Sequence, residues 1–464
     1  MACVLVHIEA EGDRPTTSSL GALGAGRRLA SRFGATLYAV VLTTADGEQS
    51  AAESSVRIGP IDAASLGRAP LVGELARGGA DKVVFVTVEQ IRFPPLWATE
   101  GGAIASTCEY LRPLVVIMPT SRGGHDIAPR LAARLGAAYI PDAELDLGQH
   151  SVAVQRKVLG GHVRRWVLDD LDRAAVITVA AGTAPARGDD DAEVMLLPVA
   201  ADVDDRIVSA TAPVPPRAKP DEGEVQAALA TTLETEVPPN VAVLIRGLLS
   251  GPGTIAAAPL GGVERAAIDT AVALGRGLGV EIAAIAAGAA AIHDRALTAA
   301  LAAGCSRAIR IDTALADEID YLGLAQILAQ GIRRADAGVI LCGDRSSDEG
   351  TGAVGPAVAE LTDAAHLTGV DAVELEGDVM IARRGTERLR VSPSIVLCIA
   401  ATADAPDPAP PPTGTIEVLG LDTLGLDPRV LTHRRATAGA ITSGAKDETV
   451  PGVPTPDFGP EPDA

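Results

Sequence analysis

The residues best suited to chemistry lie in one loop, Gly343-Asp344-Arg345-Ser346-Ser347-Asp348-Glu349-Gly350-Thr351-Gly352-Ala353-Val354-Gly355-Pro356. Its four glycines, its hydroxyls and the helix start at its end could present backbone N–H groups and a positive helix dipole to a phosphate. On that reading Gly343, Arg345, Ser346, Ser347, Asp348, Gly350, Thr351, Gly352 and Val354 are the contact residues. The spacing is neither GxxxxGK[ST] nor GxGxxG, so a plainer reading stays open: a glycine-rich turn in which Asp348 or Thr351 caps the next helix.

A second loop occupies the matching place earlier in the chain, and Ser121, Arg122, Gly123, Gly124, His125 and Asp126 are its candidate residues. His125 is either a polar contact or an ordinary solvated histidine, and Asp126 is expected to cap the helix that Pro129 helps to start. No Ser-His-Asp order, HExxH motif or carboxylate pair emerges, and the histidines are dispersed, so neither catalytic residues nor a metal site are expected. The five cysteines include no CxxC pair and fit reduced, buried thiols.

Loops of this kind need a parallel sheet to hold them. Short apolar runs alternate with longer amphipathic or Ala-rich stretches, the pattern of parallel strands covered by helices. Strands are expected at Cys3–Ile8, Thr36–Leu42, Lys82–Val86, Leu114–Met118 and Ala175–Val179, with helices at Leu20–Arg32, Leu66–Gly78, Ala103–Tyr110 and Ile127–Leu135. The series restarts with strands at Val241–Arg246, Glu281–Ala286, Ala308–Ile311, Val339–Cys342 and Ile395–Ala400. Its helices are expected at Val263–Leu274, Ala290–Ala303, Leu322–Arg334 and Val354–Leu361.

The restart is a repeat. Val4-Leu5-Val6-His7 answers Val243-Leu244-Ile245-Arg246, Ala76 to Lys82 answers Leu301 to Arg307, and Pro129-Arg130-Leu131-Ala132-Ala133 answers Pro356-Ala357-Val358-Ala359-Glu360. Three landmarks in one order imply two similar α/β nucleotide-binding domains, packed as a pseudo-dimer about an approximate twofold axis through a largely aliphatic interface. The expected divisions are 1–183, a linker with one strand over 184–240, 241–430, and a flexible tail over 431–464.

Composition narrows the function. With 464 residues the chain is long enough for two or three domains, and aromatics at 2% leave the core to Ala, Val, Leu and Ile. A formal charge of −21 repels phosphate backbones, which with so few aromatics argues against nucleic acid. No apolar stretch reaches the ~18 residues of a membrane span, and the N-terminus has no basic region or cleavage site, so a cytoplasmic location is expected.

The second half resembles the β subunit of electron transfer flavoproteins over roughly Val241–Val430, and the first half resembles the N-terminal domain of their α subunit. The loop from Gly343 to Pro356 is similar to the family's G-K-Q-A-I-D-G-D-T-G-Q-V-G-P, and Ala302-Ala303-Gly304-Cys305-Ser306-Arg307 to its A-M-G-A-D-R. Pro259 to Ala266 stands where the family has N-P-F-D-E-I-A, and Ile416 to Asp427 resembles I-E-V-x-x-x-x-D-L-G-L-D. In the first half, Thr120 to Leu135 resembles T-S-F-G-K-D-V-L-P-R-L-A-A-L-L.

The resemblance implies an electron carrier rather than a catalyst with its own substrate, working with FAD and with AMP as a second nucleotide in the β-like half, and it adds Arg246, Pro259 and Ala287 to the cofactor contacts. Departures modify that. The α subunit's S-G-R-G-x-G and Q-x-G-x-T-G patterns are not present here, and Pro406 to Gly414 replaces the loop by which family members dock on dehydrogenases. The family's Lys is Asp344 and its Gln is Ala353, which puts an anion where a cation would meet phosphate, with Arg345 placed to restore the charge. The implied partners are a protein supplying the flavin domain and a dehydrogenase or quinone oxidoreductase; the alternative is a nucleotide-binding sensor or structural module on the same fold, without redox activity.

Overall fold

The computed structural model describes residues 2–44, 59–60, 68–88, 91–92, 94–147, 152–157, 163–168, 173–179, 191–199, 203–209, 240–247, 249–251, 254–255, 258–315, 319–346, 350–377, 379–403, 414–432 and 441–442. The strands that position the site in the first half are β1 (Cys3–Ile8), β2 (Thr36–Thr44), β3 (Lys82–Val88), β4 (Val115–Pro119), β5 (Ala138–Leu147), β6 (Val152–Lys157), β7 (Val163–Val167), β8 (Ala175–Val179), β9 (Glu193–Pro198) and β10 (Ile207–Ser209). The second half supplies β11 (Asn240–Leu244), β12 (Glu281–Ala287), β13 (Arg307–Asp312), β14 (Val339–Gly343), β15 (Ala365–Val370), β16 (Ala372–Glu376), β17 (Val379–Arg384), β18 (Glu387–Val391), β19 (Ile395–Ile399) and β20 (Ile416–Gly420), with β21 (Ile441–Thr442) last.

The parallel strands of the first sheet run β5-β8-β4-β1-β2-β3-β9, and those of the second run β15-β19-β14-β11-β12-β13-β20. Element for element these are the same permutation, so the repeat read from three short landmarks is a repeat of topology. The strand over Glu193–Pro198, expected in the linker, is the last parallel strand of the first sheet beside β3, as β20 is in the second beside β13, and Gly59–Pro60 pairs antiparallel on its outer side.

Central strands such as β1, β4, β8 and β19 are buried along their whole length because helices cover both faces. Small side chains let those helices lie close. In α1 (Thr17–Phe33) a Cβ on Gly26 would come within 2.6 Å of Val6 Cγ2, so only glycine fits between helix and sheet there. The five cysteines are buried and unbridged.

Beyond the parallel core each half carries antiparallel strands that the apolar runs did not announce: β5-β6-β7 in the first, β16-β17-β18 in the second. These ribbons are exchanged. β10, which follows the first half, pairs antiparallel with β18 of the second, and β21, which follows the second half, pairs antiparallel with β7 of the first. Such reciprocity is what a twofold relation between two like halves produces.

The contact between the halves centres on two equivalent helices, α4 (Arg122–Leu135) and α8 (Val354–Thr362), packed on each other. It is not the largely aliphatic surface expected from the sequence. Asp126, with no exposed side-chain surface, accepts hydrogen bonds at Oδ1 from Thr368 N (3.1 Å) and Thr368 Oγ1 (2.8 Å), and at Oδ2 from Trp97 N (2.9 Å). Arg384, equally buried, brings Nη1 to 3.6 Å from Asp126 Oδ1. Arg130 donates through Nε to Glu360 Oε2 at 2.9 Å and through Nη1 to the Ala364 carbonyl at 2.8 Å. Arg92–Glu387 and Arg173–Asp320, both at 2.6 Å, add further pairs across the boundary. The alanine-rich faces leave room for charged side chains to meet in the middle, and the opposite signs come from opposite halves.

Burial alone would push the Asp126 carboxyl up, but Arg384 and the N–H donors of Trp97 and Thr368 outweigh it and hold the group ionised. Removing one partner of a buried pair strands the other, at a cost of roughly 3–5 kcal/mol. Asp126→Ala should therefore lower the urea-unfolding free energy of the chain by about 3–5 kcal/mol, whereas Glu374→Ala, which breaks an exposed pair with Arg383, should change it by less than about 1 kcal/mol.

Candidate functional site

Both sheets reverse strand order beside their first strand, and in the second half this switch point lies between β11 and β14. Open parallel sheets bind ligands in the crevice at such points, outside the carboxyl ends of the strands. A cavity of about 130 Å³ opens there. Arg246 lines it from beyond β11, Ala287 from the end of β12, and Gly343, Asp344, Ser346, Thr351, Gly352 and Val354 from the loop after β14. Leu244, Ile245, Ile319, Leu324 and Leu328 form an apolar wall, and Glu264, His293 and Tyr321 contribute polar atoms.

Most of the residues singled out in the sequence thus converge. Gly350 closes the loop by donating its N–H to Ser346 Oγ at 3.2 Å, while Ser347 and Asp348 lie outside the described residues. Pro259 stands in the turn before α5 (Gly262–Leu278) and is not part of the cavity wall. The start of α8 is at the cavity, with Thr351 to Gly355 lining it, and no side chain caps the helix at Ala353. Neither Thr351 nor any other described side chain takes the capping role of the plainer reading. Gly352 holds φ at +65°, and a Cβ there would approach the Asp344 carbonyl to 3.0 Å.

Two charges go elsewhere than expected. Arg345 leaves the cavity and crosses to the first half, donating from Nη1 to Asp142 Oδ2 at 3.0 Å and from Nη2 to the His125 ring at 2.8 Å. It does not restore the cation that Asp344 displaced. Asp344 Oδ1 accepts the Gly369 N–H at 2.8 Å, and burial pushes its carboxyl up, which blunts the anion at the cavity edge.

The second candidate loop is no loop. Ser121 caps α4 by accepting the Gly124 N–H at 2.8 Å, so Arg122 to Asp126 are its first turns, and the helix begins five residues ahead of the expected Ile127. A Cβ on Gly123 would meet Pro95 and one on Gly124 the Pro119 carbonyl, and the Gly124 N–H is taken by Ser121 Oγ. Asp126 is no cap but the buried centre of the contact between halves. His125 meets Asp142 at 3.2 Å as well as Arg345.

Glu264, His293, Tyr321 and Asp320 were not foreseen as wall residues. Only Glu264 carried a signal, an acid in the first turn of a helix within the Pro259–Ala266 stretch.

Asp142 has its own titration. Burial would raise its carboxyl, yet His125 and Arg345 outweigh burial and hold it well below the usual 3.8. A depressed folded-state pKa stabilises above the unfolded value and loses that effect as pH falls. The stability difference between the unaltered chain and Asp142→Asn should be full at pH 6 and shrink steadily below about pH 4 in urea titrations.

Comparison with known proteins agrees with this geometry. The electron transfer flavoprotein domain matches residues 45–202 and again 257–423, one match in each half. Among curated proteins, the electron transfer flavoprotein subunit beta of Bacillus subtilis is 31% identical over 146 residues, 29% of this chain and 56% of that protein. The subunit beta of Thermoanaerobacterium thermosaccharolyticum is 34% identical over 92 residues, 20% of this chain and 35% of that protein. The Clostridium acetobutylicum subunit beta is 27% identical over 124 residues, 27% of this chain and 48% of that protein. The matches span about half or less of these relatives' lengths. With two matched stretches that together take up most of its length, the chain belongs to the electron transfer flavoprotein domain family.

Proposed function

We propose that this chain is an electron transfer flavoprotein-like component that holds an adenine nucleotide in the cavity beside Arg246 and works with a flavin carried on a domain outside this sequence. Residues 1–183 then stand for the α subunit's N-terminal domain and 241–430 for the β subunit, fused in one chain. A dehydrogenase or a quinone oxidoreductase is the partner class for electron exchange, and FAD, when bound at the joint site, supplies the reversible redox chemistry.

One observation carries the nucleotide part: a helix start with no side-chain cap among the described residues, a cation and an apolar wall meet at the topological switch point. The N–H groups at the start of α8 and the Arg246 guanidinium are disposed toward an anionic phosphate, and Leu324, Leu328 and Ile319 shield an adenine face from water. Glu264 and His293 are placed to receive or give hydrogen bonds to ribose hydroxyls.

The residues fit an adenylate better than a whole FAD. At about 130 Å³ the cavity encloses only part of a nucleotide, so the adenylate reading rests on the chemistry of its wall. Tyr321 is the one Phe, Tyr or Trp in its wall, too little to cover an isoalloxazine ring.

Calorimetric titration with AMP, ADP and FAD tests the site. AMP should bind, and Gly352→Val, which places a side chain against the Asp344 carbonyl, should weaken it at least ~10-fold, about 1.4 kcal/mol. After extensive dialysis the purified chain should show little absorbance near ~450 nm. Close to one flavin per chain would overturn the dependence on an outside flavin domain, and failure of all three nucleotides would overturn the site.

A further inference from the structure

The first half has a cavity of its own, about 160 Å³, at the carboxyl ends of β1 and β2 with Phe85 of β3 in its wall. It shares the end of the first strand with the cavity of the second half but opens on the β2–β3 side, and its chemistry is different. His7, the last residue of the landmark Val4-Leu5-Val6-His7, lines it where Arg246, the last of Val243-Leu244-Ile245-Arg246, lines the other. Instead of an arginine and a glycine-rich loop, this cavity holds His7, Glu9 and Glu100, which are 2%, 5% and 2% exposed.

Among the described residues, His7 Nδ1 is buried without a hydrogen-bond partner. Burial lowers the imidazole pKa to about 4, so the ring is neutral, and in its Nε2–H tautomer Nδ1 is an acceptor. Both carboxyls are oriented by the chain: Glu9 Oε1 accepts from Ser121 Oγ at 2.5 Å, with the Gly124 N–H as a further donor to that carboxyl, and Glu100 Oε1 accepts from the Arg92 N–H at 2.6 Å. The two arginines of the cavity wall are matched by outside acids, Arg68 by Asp13 and Arg92 by Glu387. Phe85, Leu71 and Ile91 complete an apolar wall.

We propose that this cavity binds a small organic cation, an amidinium or ammonium whose N–H donors meet His7 Nδ1, Glu9 and Glu100 while its apolar part lies on Phe85 and Leu71. Three acceptor-bearing residues line one cavity, no donor among the described residues satisfies His7 Nδ1, and the chain's net charge of −21 concentrates cations around it. The site is separate from the nucleotide cavity, and the proposal does not rest on the nucleotide reading.

Proton release follows from the same geometry. Burial raises the Glu100 carboxyl to about 8, with Glu9 and Asp126 adding to the rise and Arg92 opposing it. Glu9 is likewise raised by burial. His7 stays neutral above pH 5, and Arg68 and Arg92 are paired with Asp13 and Glu387. A cation pairs with Glu100 only after the carboxyl gives its proton to solvent. Affinity should therefore climb about 10-fold per pH unit up to about pH 8 and level off above it.

Benzamidinium serves as the probe and benzamide as its neutral analogue, each titrated calorimetrically against the full chain between pH 6 and 9. Benzamidinium should bind at least ~10-fold more tightly than benzamide at pH 8, with the pH rise described, and saturating AMP should leave its affinity unchanged. Glu100→Gln should weaken benzamidinium at least ~10-fold and flatten its pH profile. If that variant does not fold, the pH series on the unaltered chain decides. Equal affinity for benzamide, a flat profile in the unaltered chain, competition by AMP, or no binding of benzamidinium at millimolar concentration would each overturn the proposal.

Discussion

A carboxylate with no exposed side-chain surface holds the molecule in register. Asp126 sits on α4 of the first half, and the groups that make its burial tolerable are Thr368 and Arg384 of the second half together with the Trp97 amide of its own. A buried charge is stable only while its partners stay in place, so the relative placement of the halves is constrained to positions that keep those contacts. Hydrophobic contact between two Ala-rich helices would tolerate sliding; a fully desolvated carboxylate does not. His366 reinforces the constraint. Its Nε2 faces the Asp126 carbonyl at 2.9 Å and its Nδ1 faces Arg130 Nη1 at 3.2 Å, an arrangement that needs the neutral ring which burial enforces by lowering its pKa to about 4.

That constraint reaches the cavity beside Arg246. Once α4 and α8 are locked together, Arg345 lies within reach of Asp142 and His125, and an exposed cation near opposite charge is drawn to it. A side chain that the loop sequence offers to a phosphate is instead a strut between halves. The cavity is left with Arg246, hydroxyls and backbone, so any anion there is held mainly by helix dipole and amides.

How much of this was legible in the sequence depends on which faces were buried. β1 over Cys3–Ile8 and the helix over Ala290–Ala303 match expectation to the residue, because strands and helices of a doubly covered sheet are strongly apolar or strongly periodic. The ribbons β6, β7 and β16 to β18 were not foreseen. Sequences such as Glu387-Arg388-Leu389-Arg390-Val391 alternate charged and apolar residues, being covered on one face only, and a search for continuous apolar runs passes over them. The start of α4 was hidden by Gly123 and Gly124, poor helix formers that are accepted because Ser121 caps the turn and Pro95 and Pro119 leave no room for a Cβ. Asp126 could not have been read as an interface residue, since its partners Thr368 and Arg384 are joined to it only by the fold.

The same start of α4 explains why two like halves carry unlike cavities. Pro129 and Pro356 correspond, yet α4 has seven residues of helix before its proline, Arg122 to Ala128, and α8 has two, Val354 and Gly355. In the second half the extra residues form a glycine-rich loop whose amides line the crevice; in the first they are helix, capped by Ser121 and turned against Pro95. An anion-binding loop and a capped helix turn are alternative uses of the same stretch of backbone, because each amide can be satisfied only once. The cavity of the first half is walled instead by side chains away from that helix start, two acids, a neutral imidazole and two arginines paired with outside acids. One stretch of backbone thus lines a crevice in the second half and packs the contact between halves in the first.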